Sequence, residues 1–208
     1  MPVSPIQTRR LAGYQDYATI QGRMQAFTDS RDANTADELW ILEHSPVYSM
    51  GLNADPEHLL DTGTIPVVRS DRGGQVTYHG PGQLVVYTMI DLARCGLGVR
   101  EYVQMLEGAV IDLLADFGIR GERRSGAPGV YVDGAKITAL GLKVRRGRCY
   151  HGVSLNVDMD LAPFGRINPC GFAGMPVCQL SDFVAGVEVE SVGTLLSTTL
   201  ARTLETCR

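Results

Sequence analysis

The stretch from Gly129 to Val157 contains two dipeptides ending in glycine, Asp133-Gly134 and Arg146-Gly147, set between short runs rich in apolar and β-branched residues. A two-residue turn of this kind needs positive φ, which glycine adopts freely, and it twists the chain into a tight hairpin. Two such turns in succession predict an antiparallel meander of Gly129 to Val132, Lys136 to Val144 and Tyr150 to Val157. Upstream, Glu38 to Glu43, Val67 to Arg69 and Leu84 to Ile90 also read as strands. The last of these is apolar on both faces, so it belongs in the middle of a sheet covered on both sides.

Three helices flank these strands. Tyr102, Val103, Leu106, Ala109, Val110, Leu113, Leu114 and Phe117 form an apolar stripe at three-to-four spacing that closes at Gly118. Tyr14 to Phe27 shows a weaker match, and Val192, Leu195, Leu196, Leu200 and Leu204 mark a C-terminal helix. Consecutive hairpins with helices outside them imply an α+β fold with a mixed, largely antiparallel sheet. At 208 residues the chain is long enough to bury a core without disulfides, and residues 1–208 read as a single domain.

The run Arg72-Gly73-Gly74-Gln75-Val76-Thr77-Tyr78-His79-Gly80-Pro81-Gly82-Gln83 concentrates glycines beside a cation, an imidazole and two amides. Glycine clustered with polar side chains marks backbone that bends sharply or lets a ligand come close, so this run is expected to form a binding wall. The net charge of −4 argues against general nucleic-acid binding, which needs a broad basic surface. No secretory signal or uninterrupted membrane-length apolar run is visible, which leads to the expectation of a cytoplasmic protein with no membrane partner.

Five irregularly spaced cysteines fit reduced thiols. Cys170 has the most suggestive setting, between Pro169 and Gly171 on a shaped loop, though burial as a small hydrophobe is the usual fate of a free cysteine. A working thiol needs a cation or base beside it, and His79, His151, Lys136 and Lys143 are the candidates. Lys136 starts a strand between Ala135 and Ile137, where an ammonium is partly desolvated or snorkels to water. Strand alternation puts His151 on the face of Val153, Leu155 and Val157, leaving open a core histidine or a ligand-facing one. A metal set of Cys149, His151, Cys170 and Cys178 matches none of the usual spacings.

The run from Arg72 to His79, continued through Gly82-Gln83 to Tyr87, resembles the signature of the lipoyl(octanoyl) transferases of lipoate biosynthesis. The resemblance continues through Gly129-Val130-Tyr131-Val132, Lys136-Ile137, Ala139-Leu140-Gly141-Leu142, His151-Gly152, Leu155-Asn156 and Asn168-Pro169-Cys170-Gly171, in the family's order. It implies the fold of the biotin and lipoate protein ligases, with Cys170 and Lys136 as the catalytic pair. The acyl-binding residues it implies are Arg72, Gly73, Gly74, Gln75, Val76, Thr77, Tyr78, His79, Ala139, Leu140, Gly141, Gly152, Val153 and Ser154. The implied reaction moves an octanoyl group from octanoyl-acyl carrier protein to a lysine of a lipoyl domain through a cysteine thioester. The acceptors would be 2-oxo acid dehydrogenase complexes and the glycine cleavage H protein.

That route calls for no ATP, metal or other cofactor. In it, backbone N–H groups near Gly141 and Gly171 would hold the oxyanion, and His79 would orient the acyl carbonyl or Lys136. Two basic runs, Lys143, Arg145, Arg146 and Arg148, and Arg120, Arg123 and Arg124, are candidate docking surfaces for an acidic carrier, or else solvated turns. Three rival readings remain: an ATP-dependent lipoate or biotin ligase, an amidotransferase between lipoyl-carrying proteins, and a non-catalytic carrier-binding module.

Overall fold

The strands fall into two sheets, one of seven strands and one of three. In this computed structural model, which describes residues 5–169 and 174–207, the large sheet is built around the doubly apolar strand singled out above. Its order runs β1 (Gln7–Gln15), β2 (Glu38–His44), β6 (Gln83–Asp91), β10 (Arg148–Asn156), β9 (Ala135–Arg145), β8 (Val130–Val132) and β7 (Glu122–Arg123). Only β1 and β2 are parallel; the other neighbours are antiparallel. The small sheet has β3 (Val47–Met50) between β4 (Val67–Arg69) and β5 (Val76–His79).

Both hairpin turns form as expected. Asp133 and Gly134 have φ of 47° and 85°, and Arg146 and Gly147 have 53° and 77°. The pair of positive φ values gives a turn whose twist matches the strands it joins. β6 lies between β2 and β10 and buries Leu84, Val86 and Ile90 on one face and Val85, Tyr87 and Met89 on the other. The first face is covered by helices α2 (Val99–Asp116) and α3 (Val189–Glu205), the second by α1 (Tyr17–Ser30). Asp16 caps α1 by accepting from the Thr19 N–H at 2.8 Å, and Gly118 follows the end of α2 at φ 74°. No helix among the described residues is long and apolar enough to cross a membrane.

Sequence periodicity missed four strands, of which β7 is only two residues long. β1 is an exposed polar edge strand held by its parallel ladder to β2, so it has no apolar alternation to detect. β3 and β5 are four residues each, and β5 lies inside the glycine-rich run. That run is therefore not all loop: Gly74 and Gly82 turn at φ 88° and 84°, while the residues from Val76 to His79 pair with β3.

One glycine of the meander is required by close strand approach. A Cβ on Gly152 would lie 2.1 Å from the Val86 carbonyl oxygen and 3.2 Å from the Tyr87 Cα, both backbone atoms of the neighbouring strand. Neither can rotate away. Gly152→Ala is expected to push β6 and β10 apart and lower stability by about 3 kcal/mol. The urea midpoint measures this, and an unchanged midpoint would contradict the packing described.

Candidate active site

Where the small sheet meets the edge of β9, a cavity of about 380 Å³ opens, within the size range of small-molecule sites. Residues 72–77 and 79 form one wall, and residues 139–142 and 151–154 form the other. Gly74, Val99, Gly126 and Pro128 line it at exposed positions, whereas Tyr17, His79, Tyr87 and His151 line it from buried ones. It is an apolar slot with a polar inner end.

The walls are brought together by Arg72. Its guanidinium donates to the Ser49 carbonyl at 2.7 Å, the Gln75 carbonyl at 2.8 Å, the Gly73 carbonyl at 3.0 Å and the Ser49 hydroxyl at 2.9 Å. Those donors are consumed by protein, so Arg72 shapes the glycine loop and offers the slot its aliphatic stem. That stem lies against Gly141, where a Cβ would fall 2.7 Å from the Arg72 Cδ. Beside it, the Gly73 N–H donates to the Leu142 carbonyl at 2.8 Å and closes the free edge of β9.

The inner end is a network of neutral rings. The His44 Nδ1 faces the Gln15 carbonyl at 3.0 Å, so it carries the proton, and its Nε2 accepts from the Tyr87 hydroxyl at 2.7 Å. Gln83 spends its amide N–H groups on the Asn156 side chain (2.9 Å) and the Tyr78 carbonyl (3.2 Å). Its remaining oxygen must accept from the His79 Nδ1 at 2.7 Å, which leaves the His79 Nε2 as a lone-pair acceptor. Tyr17 stacks on His79 with ring centroids 5.6 Å apart and donates to the Ser70 hydroxyl at 2.9 Å. Burial pushes His44 down to about 4 and holds His79 well below the usual histidine value.

His151 breaks the alternation of its strand. Its φ of 61° is rare for a non-glycine residue, and its ring lies with Tyr150 (5.1 Å, stacked) and Tyr87 (5.8 Å, edge-on). Val153 and Leu155 remain in the core beneath α2 and α3, so the expected shared face is not formed. The His151 Nε2 donates to Asp71 at 2.8 Å. Asp71 is a residue that sequence reasoning passed over. Burial would raise its carboxyl, but bonds from His151, Tyr150 and Gln25 outweigh that and hold it well below the carboxylate range. Burial lowers His151 as well, and Asp71 only partly offsets this.

Lys136 sits at the other end, 4% exposed. Its backbone pairs with the segment from Pro176 to Cys178: its N–H donates to the Pro176 carbonyl at 2.8 Å, and its carbonyl accepts from the Cys178 N–H at 3.0 Å. Lys136, Pro169 and Val177 line a small cleft whose other lining residues include Thr77, Ala139 and Ser154, which also line the slot. Cys170 and Gly171 lie outside the described residues. Burial pushes the Cys149 thiol up to about 12 and the Cys178 thiol up to about 11, so both stay protonated at neutral pH. Cys149 belongs to the core and His151 to the opposite face of β10.

Of the fourteen expected binding residues, Tyr78 alone points elsewhere. It packs between Tyr48 (5.5 Å) and Phe164 (5.6 Å, edge-on) in the core of the small sheet. The reason is strand pleating, which turns Tyr78 away from the side that Thr77 and His79 share. Tyr17, Val99, Val103 and the residues from Gly126 to Pro128 come to the site from distant parts of the chain, Val103 from the apolar stripe of α2, whereas Asp71 directly precedes the glycine-rich run and carries no motif of its own. The basic runs are partly engaged already: Arg145 with Asp29 (3.1 Å), Arg148 with Asp91 (3.9 Å), Arg120 with Glu122 (3.2 Å) and Arg123 with Glu107 (3.2 Å).

The three buried histidines set a pH dependence. Each binds its proton less readily folded than unfolded, so above about 6.5 both states are neutral and stability is complete. Between 6.5 and about 4 the unfolded chain takes up protons that the folded one refuses, and stability falls. Urea unfolding at pH 7.5 and pH 5 is expected to differ by on the order of a few kcal/mol. Equal stability at the two pH values would rule out neutral burial of these rings.

The residues from 16 to 201 match the family described as lipoyl protein ligase A/B catalytic domain. An octanoyltransferase of Aromatoleum aromaticum is 57% identical over 97% of this chain and 87% of its own length. One from Methylococcus capsulatus is 59% identical over 87% of this chain and 86% of its own. A solved putative lipoate protein ligase of T. acidophilum with bound lipoic acid superposes with a TM-score of 0.80 at 18% identity, covering 97% of this chain and 87% of that one. The biotin protein ligase of Aquifex aeolicus gives 0.60 at 10% identity, over 96% of this chain and 71% of that one. These two show a common fold. The match over most of the chain, with relatives more than half identical across it, makes this chain a member of the lipoyl protein ligase A/B catalytic domain family, alongside its octanoyltransferases.

Proposed function

We propose that this chain is a single-domain octanoyltransferase, carrying an octanoyl group from acyl carrier protein to the lysine of a lipoyl domain through a thioester on Cys170. The chemistry runs in two balanced steps. The Cys170 thiolate attacks the carbonyl of the octanoyl thioester, the C–S bond to the carrier breaks, and the carrier thiolate leaves with a proton from Lys136. The acceptor lysine then attacks the octanoyl-Cys170 carbonyl, an amide forms, and the proton shed by the amine returns to Lys136 as the Cys170 thiolate departs. One thioester replaces another, so no nucleotide is consumed.

The observation that carries the pairing is the position of the described neighbours of Cys170. Pro169 on one side and Val177 on the other line the same cleft as Lys136, and that cleft borders the apolar slot. Neutral rings at the slot's inner end suit an aliphatic chain better than a charged one. His79 offers only an acceptor at Nε2, which favours orienting an ammonium over the acyl carbonyl. The acceptors in this reading are the lipoyl domains of 2-oxo acid dehydrogenases and the glycine cleavage H protein, and the setting is the cytoplasm.

Intact-mass measurement after incubation with an octanoyl thioester and no nucleotide tests the route. A single octanoyl adduct is expected on the wild type, none on Cys170→Ala and a strongly slowed one on Lys136→Ala. Strict dependence on ATP would mark a ligase instead, and normal binding without turnover a docking module. For the carrier as donor, Arg146 at the tip of the β9–β10 turn is the exposed cation to reverse. Arg146→Glu is expected to raise KM for octanoyl-carrier several-fold and to weaken its salt dependence. An unchanged KM removes that turn from the docking surface.

A further inference from the structure

The β8–β9 hairpin places Tyr131 directly opposite Lys136 in the strand register, on the turn built by Asp133 and Gly134. Side chains opposite one another on an antiparallel pair share a face and touch. The Lys136 Nζ lies 5.4 Å from the centroid of the Tyr131 ring, within cation–π range. The ring itself is held on several sides. It is 1% exposed, its hydroxyl donates to the Ala127 carbonyl at 3.1 Å, and the Arg124 guanidinium lies 4.5 Å from its centroid while donating to the Gly134 carbonyl.

Room for the lysine is kept by Gly129, at φ 138°. A Cβ there would fall 2.6 Å from the Lys136 Cε and 2.5 Å from the Thr138 carbonyl oxygen. The Gly129 N–H donates to buried Glu107 on α2 at 2.9 Å, which fixes that backbone in place. Ring, glycine and carboxylate thus confine one ammonium whose stem is buried.

We infer that Tyr131 is a positioning residue for the acyl transfer, its ring face seating the Lys136 ammonium that the reaction uses. This rests on the Cys170 and Lys136 reading proposed above. Moving an ammonium out of water disfavours its charged form, and the negative face of an aromatic ring offsets part of that cost where solvent is excluded. A leucine would fill the space without the offset. The ammonium would then be seated less firmly, and the sulfur would lose part of the neighbouring charge that keeps it a thiolate.

The test replaces Tyr131 with phenylalanine and then with phenylalanines carrying two and three ring fluorines, a series of nearly constant size in which the ring face grows steadily less negative. Two readouts are taken: the rate of octanoyl adduct formation, and the pH dependence of Cys170 alkylation by iodoacetamide followed by peptide mass. Tyr131→Phe is expected to stay within about threefold of wild type. Across the fluorinated series kcat should fall progressively to about tenfold, with KM for the octanoyl thioester within twofold. The alkylation midpoint should rise by half a pH unit or more. A series flat in both readouts overturns the seat, because a purely structural ring does not respond to fluorine. Lys136→Ala, run in parallel, separates the two claims. If it moves the alkylation profile while the fluorine series does not, only the role of Tyr131 fails; if it leaves profile and rate unchanged, the dyad itself fails.

Discussion

The tie on which the slot depends is the guanidinium of Arg72. It reaches across the small sheet to the carbonyl and hydroxyl of Ser49 and back to the carbonyl of Gln75, while its stem lies on Gly141 of the large sheet. A planar group with five donors suits this job, since it satisfies several carbonyls of a tight loop at once. Leaving such acceptors buried without partners costs about 1–3 kcal/mol each. The bond from the Gly73 N–H to the Leu142 carbonyl then seals the outer edge of β9. Backbone meets backbone where the end of β3 faces this loop: a Cβ on Gly51 would lie 2.3 Å from the Gly74 carbonyl oxygen, while Gly74 itself turns at φ 88°.

Charge is distributed unequally along the cavity this creates. At the inner end three imidazoles are kept neutral by burial, and their hydrogen bonds go to Gln15, Tyr87, Gln83 and Asp71. An aliphatic chain entering there meets rings without charge, so it need not strip charged imidazoles of solvent. At the other end a lysine is buried beside the backbone that leads into Cys170. The two ends are linked by contiguous bonds, from His79 through Gln83 and Asn156 to the Cys178 carbonyl, and from the Cys178 N–H to Lys136. Rigidity along that path favours a fixed distance between the chain's tail and its reacting carbonyl.

Much of the architecture was legible because it rests on local rules. Asp133-Gly134 and Arg146-Gly147 announced their hairpins through positive φ, Leu84 to Ile90 announced a central strand by its two apolar faces, and the stripe through Leu106 and Leu113 announced α2. β1 was illegible because its nine residues are almost all exposed and are held by a parallel ladder to a strand more than twenty residues away. His151 was misjudged because alternation assumes ordinary strand angles, and one left-handed residue carries its ring to the other face. Tyr78 was grouped with the binding wall because the motif is contiguous, whereas its ring is turned into the core of the small sheet, between Tyr48 and Phe164.

The amino-acid order alone determined the antiparallel meander, the central strand, the helices and the run of glycines that lines the slot, since each follows from backbone preference or periodicity within a short window. It also pointed, through resemblance, to Cys170 and Lys136. Only the tertiary structure decided that Tyr17, His44, Asp71 and Tyr87 close the inner end, that Arg72 spends its donors on carbonyls, and that Tyr131 lies under Lys136. Those outcomes depend on which distant surfaces become neighbours when apolar faces are buried together, and no short window of sequence contains that information.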